Sequence, residues 1–175
     1  KMNRAKRFEN KVVIVTGAAQ GIGRGVALQV AAEGAQVVMA DLSPYVEEVL
    51  AEIQAAGGDA VTINANLETF AGAQSVVEKA LNTYGRVDAL INNVGGAIWM
   101  KPFEEFSEEE IIKEVNRSLF PTMWCCRAVL PEMIIDSTVR ELSVPILMVK
   151  AFAIAVISAH SRQSSAIIGV APIAS

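Results

Sequence analysis

Three glycines in a short stretch are the residues whose spacing points most clearly to chemistry. Gly17, Gly21 and Gly23 stand between an apolar, β-branched run at 12–15 and a segment at 26–31 with apolar residues at helical spacing. A strand, a glycine turn and a helix in that order place free backbone N–H groups and a helix N-terminus together, which favours an anion such as pyrophosphate. Glycine suits positions where φ is positive or where a Cβ would hold the phosphate away. A tight turn without a ligand is the alternative, and the strand–helix context favours the phosphate site.

Asp41 is the second residue that indicates a nucleotide. The next predicted strand, 36–40, ends at Asp41, which follows Gly23 by 18 residues. An acid about 20 residues after such a turn holds the adenosine ribose hydroxyls in dinucleotide-binding folds. A loop acid or a helix cap would look the same. The glycine order T-G-x-x-x-G-x-G also departs from the strict G-x-G-x-x-G fingerprint, because Val26 stands where its last glycine would be.

The elements that must position these residues alternate along the chain. Alternating strands and helices predict right-handed crossovers and an α/β, doubly wound parallel sheet, in which ligands bind at the carboxyl ends of the strands. Gly17, Asp41, Asn66 and Asn93 each follow a predicted strand, so we expect them to share one edge. The predicted strands are 12–15, 36–40, 60–64 and 87–92, and the predicted helices end near 33, span 43–56 from a Ser43-Pro44 start, and span 69–84.

A longer helical pattern follows the fourth strand. Residues 107–110 form a capping-box sequence, and Phe106 and Ile111 are spaced as a hydrophobic staple. The pattern continues to about Met133. Pro121 lies inside it and is predicted to kink the helix or to divide it in two.

Composition excludes several classes of protein. The chain has 175 residues, of which 52% are hydrophobic, and this predicts a single globular domain over 1–175. A net charge of −4 gives no footprint for nucleic acid. The basic N-terminus lacks an apolar segment after it, and the longest apolar run, 144–157, is too short for a membrane span. We therefore expect no nucleic-acid partner, no membrane association and a cytoplasmic location.

The sequence also predicts no metal site. Cys125 and Cys126 are adjacent, which is not metal spacing, and are read as small buried residues in a reducing cytoplasm. The glutamates between 104 and 110 are read as a solvated helix start.

Two motifs together resemble the short-chain dehydrogenase/reductase family. The stretch 16–23 (TGAAQGIG) matches its nucleotide-binding motif, and 92–95 (NNVG) looks like its N-N-A-G motif with Val for Ala. The resemblance runs over about 8–133 and implies a Rossmann-like fold. The chain looks truncated or altered after residue 133, so that 134–175 form a divergent tail.

The resemblance also implies an activity. Segments 92–112 and 117–133 look most like those family members that oxidise a cis-dihydrodiol carboxylate. It therefore implies an NAD-dependent oxidoreductase that converts such a small-molecule substrate towards catechol. Family members are commonly dimers or tetramers, so a homo-oligomer is expected.

Carried over by position, the resemblance implies a set of cofactor-binding residues. Asp41 would accept hydrogen bonds from the ribose and repel the 2′-phosphate of NADP. This outweighs Arg24 as a phosphate partner and favours NAD. Asn66 stands where the family usually has an adenine-contacting Asp, and Asn93 would support the nucleotide and the sheet. The remaining members of the set are Gly17, Gln20, Gly21, Ile22, Gly23 and Gly95.

The catalytic residues depart from the family pattern. Ser118 stands where the family usually has a catalytic-tetrad Asn, and it either holds the same water or is a small helix-packing residue. The family's Tyr-x-x-x-Lys is missing, because the two tyrosines, Tyr45 and Tyr84, are followed four residues later by Val49 and Asp88. The catalytic residues stay unassigned. The alternative function is an inactive dinucleotide-binding module or a truncated product.

The tail 134–175 has two explanations. It is an out-of-frame or misread segment that replaces the family's C-terminal half, or a genuine divergent ending. Ser143 and Ser158 are candidate positions for the family's catalytic serine, with an ordinary strand-end serine as the default. His160, the single histidine, is read as a surface or loop residue.

Overall fold

The computed structural model describes residues 6–135 and 156–158, and these build a five-stranded sheet in the order β3-β2-β1-β4-β5. The first four strands are parallel, as predicted. The fifth is antiparallel to β4, with Ser158 opposite Ala89. The strands are β1 Val12–Thr16, β2 Gln36–Ala40, β3 Asp59–Ile63, β4 Ala89–Ile91 and β5 Val156–Ser158.

Helices cover both faces of this sheet, which is the predicted doubly wound arrangement. Along β1, Val13 and Val15 pack in a core with α1 and α2, while Val12 and Ile14 pack in a second core with α3 and α5. Strands buried on both faces read as continuous apolar runs, which is why 12–15 was recognisable. The helices are α1 Gly21–Ala32, α2 Val46–Ala55, α3 Phe70–Tyr84, α4 Glu108–Ser118 and α5 Phe120–Ile135, with a short 3₁₀ helix at Phe103–Glu105.

The predicted long helix is divided rather than kinked. α4 ends at Ser118 and α5 begins at Phe120, so Pro121 lies in the first turn of α5, where its missing N–H leaves no bond unmade. The capping box is confirmed, because the Ser107 hydroxyl accepts from the Glu110 N–H and the Glu110 carboxylate accepts from the Ser107 N–H. None of the helices within the described residues is long and apolar enough to cross a membrane.

The start of α2 was predicted two residues too early. Ser43-Pro44 was read as an N-cap and first helical residue, but α2 begins at Val46. The Ser43 hydroxyl accepts from the Tyr45 N–H at 3.3 Å, and the Ser43 carbonyl accepts from the Val46 N–H at 3.3 Å. Ser43 therefore closes a tight turn that leads into the helix.

A buried carboxylate joins β1 and β4 at the edge opposite to their carboxyl ends. Asp88 is 6% exposed and accepts hydrogen bonds from the Val12 N–H at 2.9 Å, the Lys11 Nζ at 3.1 Å and the Arg86 guanidinium at 2.7 Å. Burial by itself would raise the pKa of Asp88, but these three donors outweigh it, so the pKa is lowered. The charged form of Asp88 therefore stabilises the fold.

Substitution Asp88→Asn is expected to lower the free energy of unfolding at pH 7 by about 1–3 kcal/mol, because it weakens bonds to two cations and one buried amide. Because the folded pKa of Asp88 lies below its unfolded value of about 3.9, its stabilisation is present above that pH and is lost as the pH falls through the folded pKa. The variant should lack this part of the acid destabilisation. Urea denaturation at pH 7 and at a series of pH values below about 4 measures both effects.

Glu9→Gln is the matched control, since Glu9 forms an exposed pair with Lys6. It should change the free energy of unfolding by less than about 0.5 kcal/mol. Equal stability of the Asp88→Asn variant and wild type at pH 7 would contradict the stabilising role of the Asp88 charge.

Candidate functional site

Three of the predicted site residues, Gly17, Asp41 and Asn93, lie where β1, β2 and β4 end. The Gly17 N–H donates to the Ala40 carbonyl at 2.8 Å, and the Asn93 Nδ2 donates to the Gly17 carbonyl at 3.1 Å. Gly17 has φ +65°, and a Cβ there would lie 2.8 Å from the Asn93 Nδ2. Both its backbone conformation and this close approach therefore require glycine.

Gly23 brings the first turn of α1 against the same two residues. A Cβ on Gly23 would lie 2.0 Å from the Gly17 carbonyl oxygen and 2.5 Å from the Asn93 Nδ2. Since the first of these neighbours is backbone, no side-chain movement could relieve the overlap. The Asn93 carboxamide is thus wedged between Gly17 and Gly23, and it fixes the helix start relative to β4.

The N-terminus of α1 is open to a ligand. Gln20 occupies the N-cap position in an extended conformation and makes no side-chain capping bond, and the first turn contains no acidic residue. By contrast, α3 is capped by the Thr69 hydroxyl and α4 by that of Ser107. Gly21 has φ +55°, and a Cβ there would meet nothing within 4 Å. Gln20, Gly21 and Ile22 are all exposed, so the first N–H groups of α1 and its positive dipole end face an accessible space.

Asp41 joins the glycine turn to the loop after β2. One carboxylate oxygen accepts from the Ala19 N–H at 2.8 Å, and the other accepts from the Ser43 N–H at 2.9 Å. Each oxygen of a carboxylate can accept more than one bond, so both retain capacity for a hydroxyl donor. The predicted ribose-binding acid is therefore beside the predicted phosphate-binding turn.

Thr16 is a site residue that the sequence reasoning left without a role. Its buried hydroxyl donates to the Ile91 carbonyl at 3.2 Å and accepts from the Asn93 N–H at 2.9 Å and the Val94 N–H at 3.3 Å. It thus ties the end of β1 to the end of β4. The available signal was a hydroxyl residue closing an otherwise apolar strand directly before a glycine.

Asn66 lies apart from this cluster in its contacts. It is exposed, its Oδ1 accepts from the Glu68 N–H at 3.0 Å, and its carbonyl accepts from the Thr69 hydroxyl at 3.0 Å. Asn66 therefore builds the turn into α3, with its amide nitrogen the group left to donate. No hydrogen bond between Asn66 and Gly17, Asp41 or Asn93 is present within the described residues.

The loop after β4 is held by two side chains of α4. The Ser118 hydroxyl donates to the Gly96 carbonyl at 3.2 Å and accepts from the Gly96 N–H at 3.4 Å, and a Cβ on Gly95 would lie 3.6 Å from the Ser118 Cα. One turn earlier, the Glu114 carboxylate accepts from the Ile98 N–H at 2.8 Å and the Trp99 N–H at 3.1 Å. In this arrangement Ser118 anchors the loop. Glu114 was missed, because its partners depend on a loop path that the sequence pattern does not specify.

Neither tyrosine is arranged as a general base at this edge. The Tyr84 hydroxyl donates to Asp59, which begins β3 at the opposite edge, and burial together with this bond raises the pKa of Tyr84. Tyr45 is 61% exposed, in the loop before α2. The catalytic role suggested for Ser118 stays a prediction. Ser143 and His160 lie outside the described residues, and Ser158 ends β5.

Of the two adjacent cysteines, Cys125 is buried as predicted, whereas Cys126 is partly exposed. Cys125 is buried, and burial raises its pKa to about 12. Cys126 accepts a hydrogen bond from the Asn92 Nδ2 at 3.5 Å, and burial raises its pKa also. The described part of the chain contains no group of three or more His, Cys, Asp or Glu side chains that could hold a metal ion.

Known proteins share this sequence and architecture. The chain is 67% identical over 133 residues to the 1,6-dihydroxycyclohexa-2,4-diene-1-carboxylate dehydrogenase of Acinetobacter baylyi, which covers 76% of this chain and 51% of that protein. It is 53% identical over 129 residues to the protein of the same name from Pseudomonas putida, covering 74% and 48%. The chain thus spans about half the length of the curated relatives it matches.

Solved structures and a family model agree with this comparison. A hydroxysteroid dehydrogenase from Escherichia coli superposes with a TM-score of 0.68 at 31% identity, over 73% of this chain and 54% of that one. The citronellol catabolism dehydrogenase AtuB of Pseudomonas aeruginosa gives 0.68 at 26% identity, over 75% and 54%. The model of the short chain dehydrogenase family matches residues 11–141, beyond the predicted end of the resemblance at 133. The chain belongs to the short-chain dehydrogenase family.

Proposed function

We propose that this chain forms the NAD-binding half of an oxidoreductase that oxidises a cis-dihydrodiol carboxylate towards catechol. The observation that carries the proposal is the open N-terminus of α1, with the Asp41 carboxylate bonded to the turn that precedes it. A dinucleotide needs both features at one edge, because its pyrophosphate and its adenosine ribose are adjacent.

Each cofactor-binding residue has a role in this proposal. The N–H groups at the start of α1 and the exposed Gln20 and Ile22 would hold the pyrophosphate, and Gly17, Gly21 and Gly23 would let the backbone approach it. Asp41 would accept the ribose hydroxyls, and the Asn66 amide would contact the adenine. Asn93 would keep the turn in place through its hydrogen bond to the Gly17 carbonyl, and the backbone of Gly95 would lie next to the nicotinamide.

The reacting side of the site would be bordered by the loop that Ser118 and Glu114 anchor. When bound, NAD supplies the acceptor for the hydride that leaves the substrate carbon. The chain's own residues would orient the dinucleotide and exclude a 2′-phosphate through the charge on Asp41. The base that removes the hydroxyl proton stays unassigned.

The substrate class rests on the relatives. The two dehydrogenases at 67% and 53% identity are named for 1,6-dihydroxycyclohexa-2,4-diene-1-carboxylate. The homo-oligomeric state and the cytoplasmic location belong to the same proposal.

A second candidate is a dinucleotide-binding module without turnover. One observation favours it: neither Tyr45 nor Tyr84 is followed by a lysine four residues later. This candidate would keep the same cofactor site without turnover.

Titration with NADH and NADPH, followed by a turnover assay, separates these proposals. We expect NADH fluorescence to change on binding, with weaker binding of NADPH. A rise in absorbance at 340 nm with NAD and a cis-dihydrodiol carboxylate would support the first candidate. NADH binding without turnover would support the second candidate. If protein of verified mass binds no NADH, both proposals fail.

Gly23→Ala tests whether the close approach of α1 to Gly17 is needed for cofactor binding. The added methyl group would meet the Gly17 carbonyl, so α1 must shift, and we expect NADH affinity to fall at least tenfold with a clear loss of stability. Gly25→Ala is the matched control in the same helix, because a Cβ there meets nothing within 4 Å. It should keep NADH affinity and stabilise the protein by about 0.5–1 kcal/mol. Equal effects of the two substitutions would argue against a need for the close contact between Gly23 and Gly17 in cofactor binding.

Asp41→Asn tests the choice of coenzyme. Removing one negative charge beside the ribose should improve the NADPH-to-NADH affinity ratio roughly tenfold, the size expected for one charge contact near a protein surface. Asp59→Asn serves as the control, because this substitution removes the same charge at the opposite edge of the sheet. The two dissociation constants are measured by fluorescence titration. An unchanged ratio in Asp41→Asn would exclude Asp41 as the selective group.

A further inference from the structure

An ion pair links α1 to α2 close to the proposed cofactor site. The Arg24 guanidinium on α1 donates to the Glu52 carboxylate on α2. Both side chains are about half exposed, at 44% and 51%. The pair lies on the surface and has no evident part in the core.

Arg24 lies near the N-terminal end of α1, which is the end beside the proposed ribose site. Its N–H donates to the Gln20 carbonyl at 3.2 Å, so Arg24 lies one helical turn beyond Gln20 on the same face. Gln20 follows Ala19, whose N–H is bonded to Asp41. A turn of helix rises about 5.4 Å, which is within the length of an extended arginine side chain. The guanidinium is therefore within reach of the region where Asp41 meets the glycine turn.

The partner of Arg24 lies away from the cofactor edge. Glu52 lies in the second half of α2, whereas the cofactor edge is at the start of that helix. The pair therefore holds the guanidinium at the second half of α2 rather than at the start of that helix. A free guanidinium at this distance would be a good ligand for a phosphate, because its planar fork matches phosphate oxygens.

We propose that Glu52 withholds Arg24 from the adenosine ribose region, so that the Arg24–Glu52 pair is a second determinant of preference for NAD over NADP. This inference rests on the proposed function, and it adds specificity residues to the same site. Asp41 repels the 2′-phosphate, and Glu52 removes the cation that would otherwise attract it. Because exposed ion pairs are weak, the pair biases the choice of coenzyme by a small factor, about two- to fivefold.

The test is made on the full 175-residue chain in an Asp41→Asn background, where relief of repulsion brings NADPH affinity into a measurable range. Adding Glu52→Gln should lower the dissociation constant of NADPH by about two- to fivefold and leave that of NADH unchanged. The gain should diminish at high salt, because it depends on an exposed charge contact. Glu52→Gln alone should also increase the affinity for NADPH relative to that for NADH.

Two further variants separate release of Arg24 from simple loss of a negative charge. Adding Arg24→Gln to the Asp41→Asn, Glu52→Gln protein should abolish the NADPH gain. Glu48→Gln, which removes an exposed charge nearer the start of α2, should give a smaller gain than Glu52→Gln.

The outcomes distinguish this inference from the proposed function. Unchanged NADPH affinity in Asp41→Asn, Glu52→Gln, or a gain that survives Arg24→Gln or is matched by Glu48→Gln, would overturn the inference while NADH binding upheld the function. Failure of the wild-type chain to bind NADH would overturn the proposed function and this inference with it.

Discussion

The hydrogen bond from the Asn93 carboxamide to the Gly17 carbonyl is the contact on which the candidate site depends. The Asn93 side chain fills the space that a Cβ on Gly17 or Gly23 would occupy, so strand β4, the turn and the start of α1 are held at contact distance. Thr16 adds two bonds from the N–H groups that follow β4. The position of the open end of α1 thus depends on the hydrogen bond from Asn93 and on the absence of a side chain at Gly17 and Gly23.

Much of this arrangement was predictable from the sequence because its causes are local. Apolar runs such as 12–15 mark strands buried on both faces, and alternation with helices fixes a parallel sheet. A parallel sheet brings the carboxyl ends of its strands to one edge, so Gly17, Asp41 and Asn93 had to be neighbours. An interruption of the long helix at Pro121, as a kink or a division, was predictable for the same local reason, and the structure shows a division.

The parts that were not predictable depend on how separate segments meet. The start of α2 was placed at Ser43-Pro44, although Ser43 instead closes a tight turn and the helix begins at Val46. The bonds of Glu114 to two loop N–H groups, and the pair between Arg24 and Glu52, join residues 15 or more positions apart. Periodicity within one helix carries no information about such partners.

The way in which α4 holds the loop after β4 bears on which residues of the candidate site can vary in sequence. Among the described residues, the side chains of Ser118 and Glu114 are hydrogen-bonded to backbone groups, those of Gly96, Ile98 and Trp99. Side chains on the loop can therefore be exchanged while its path is retained, and the glycine turn, which is braced separately by Thr16 and Asn93, is left undisturbed. One half of the site is free to diversify by mutation while the other is kept under tight steric constraint.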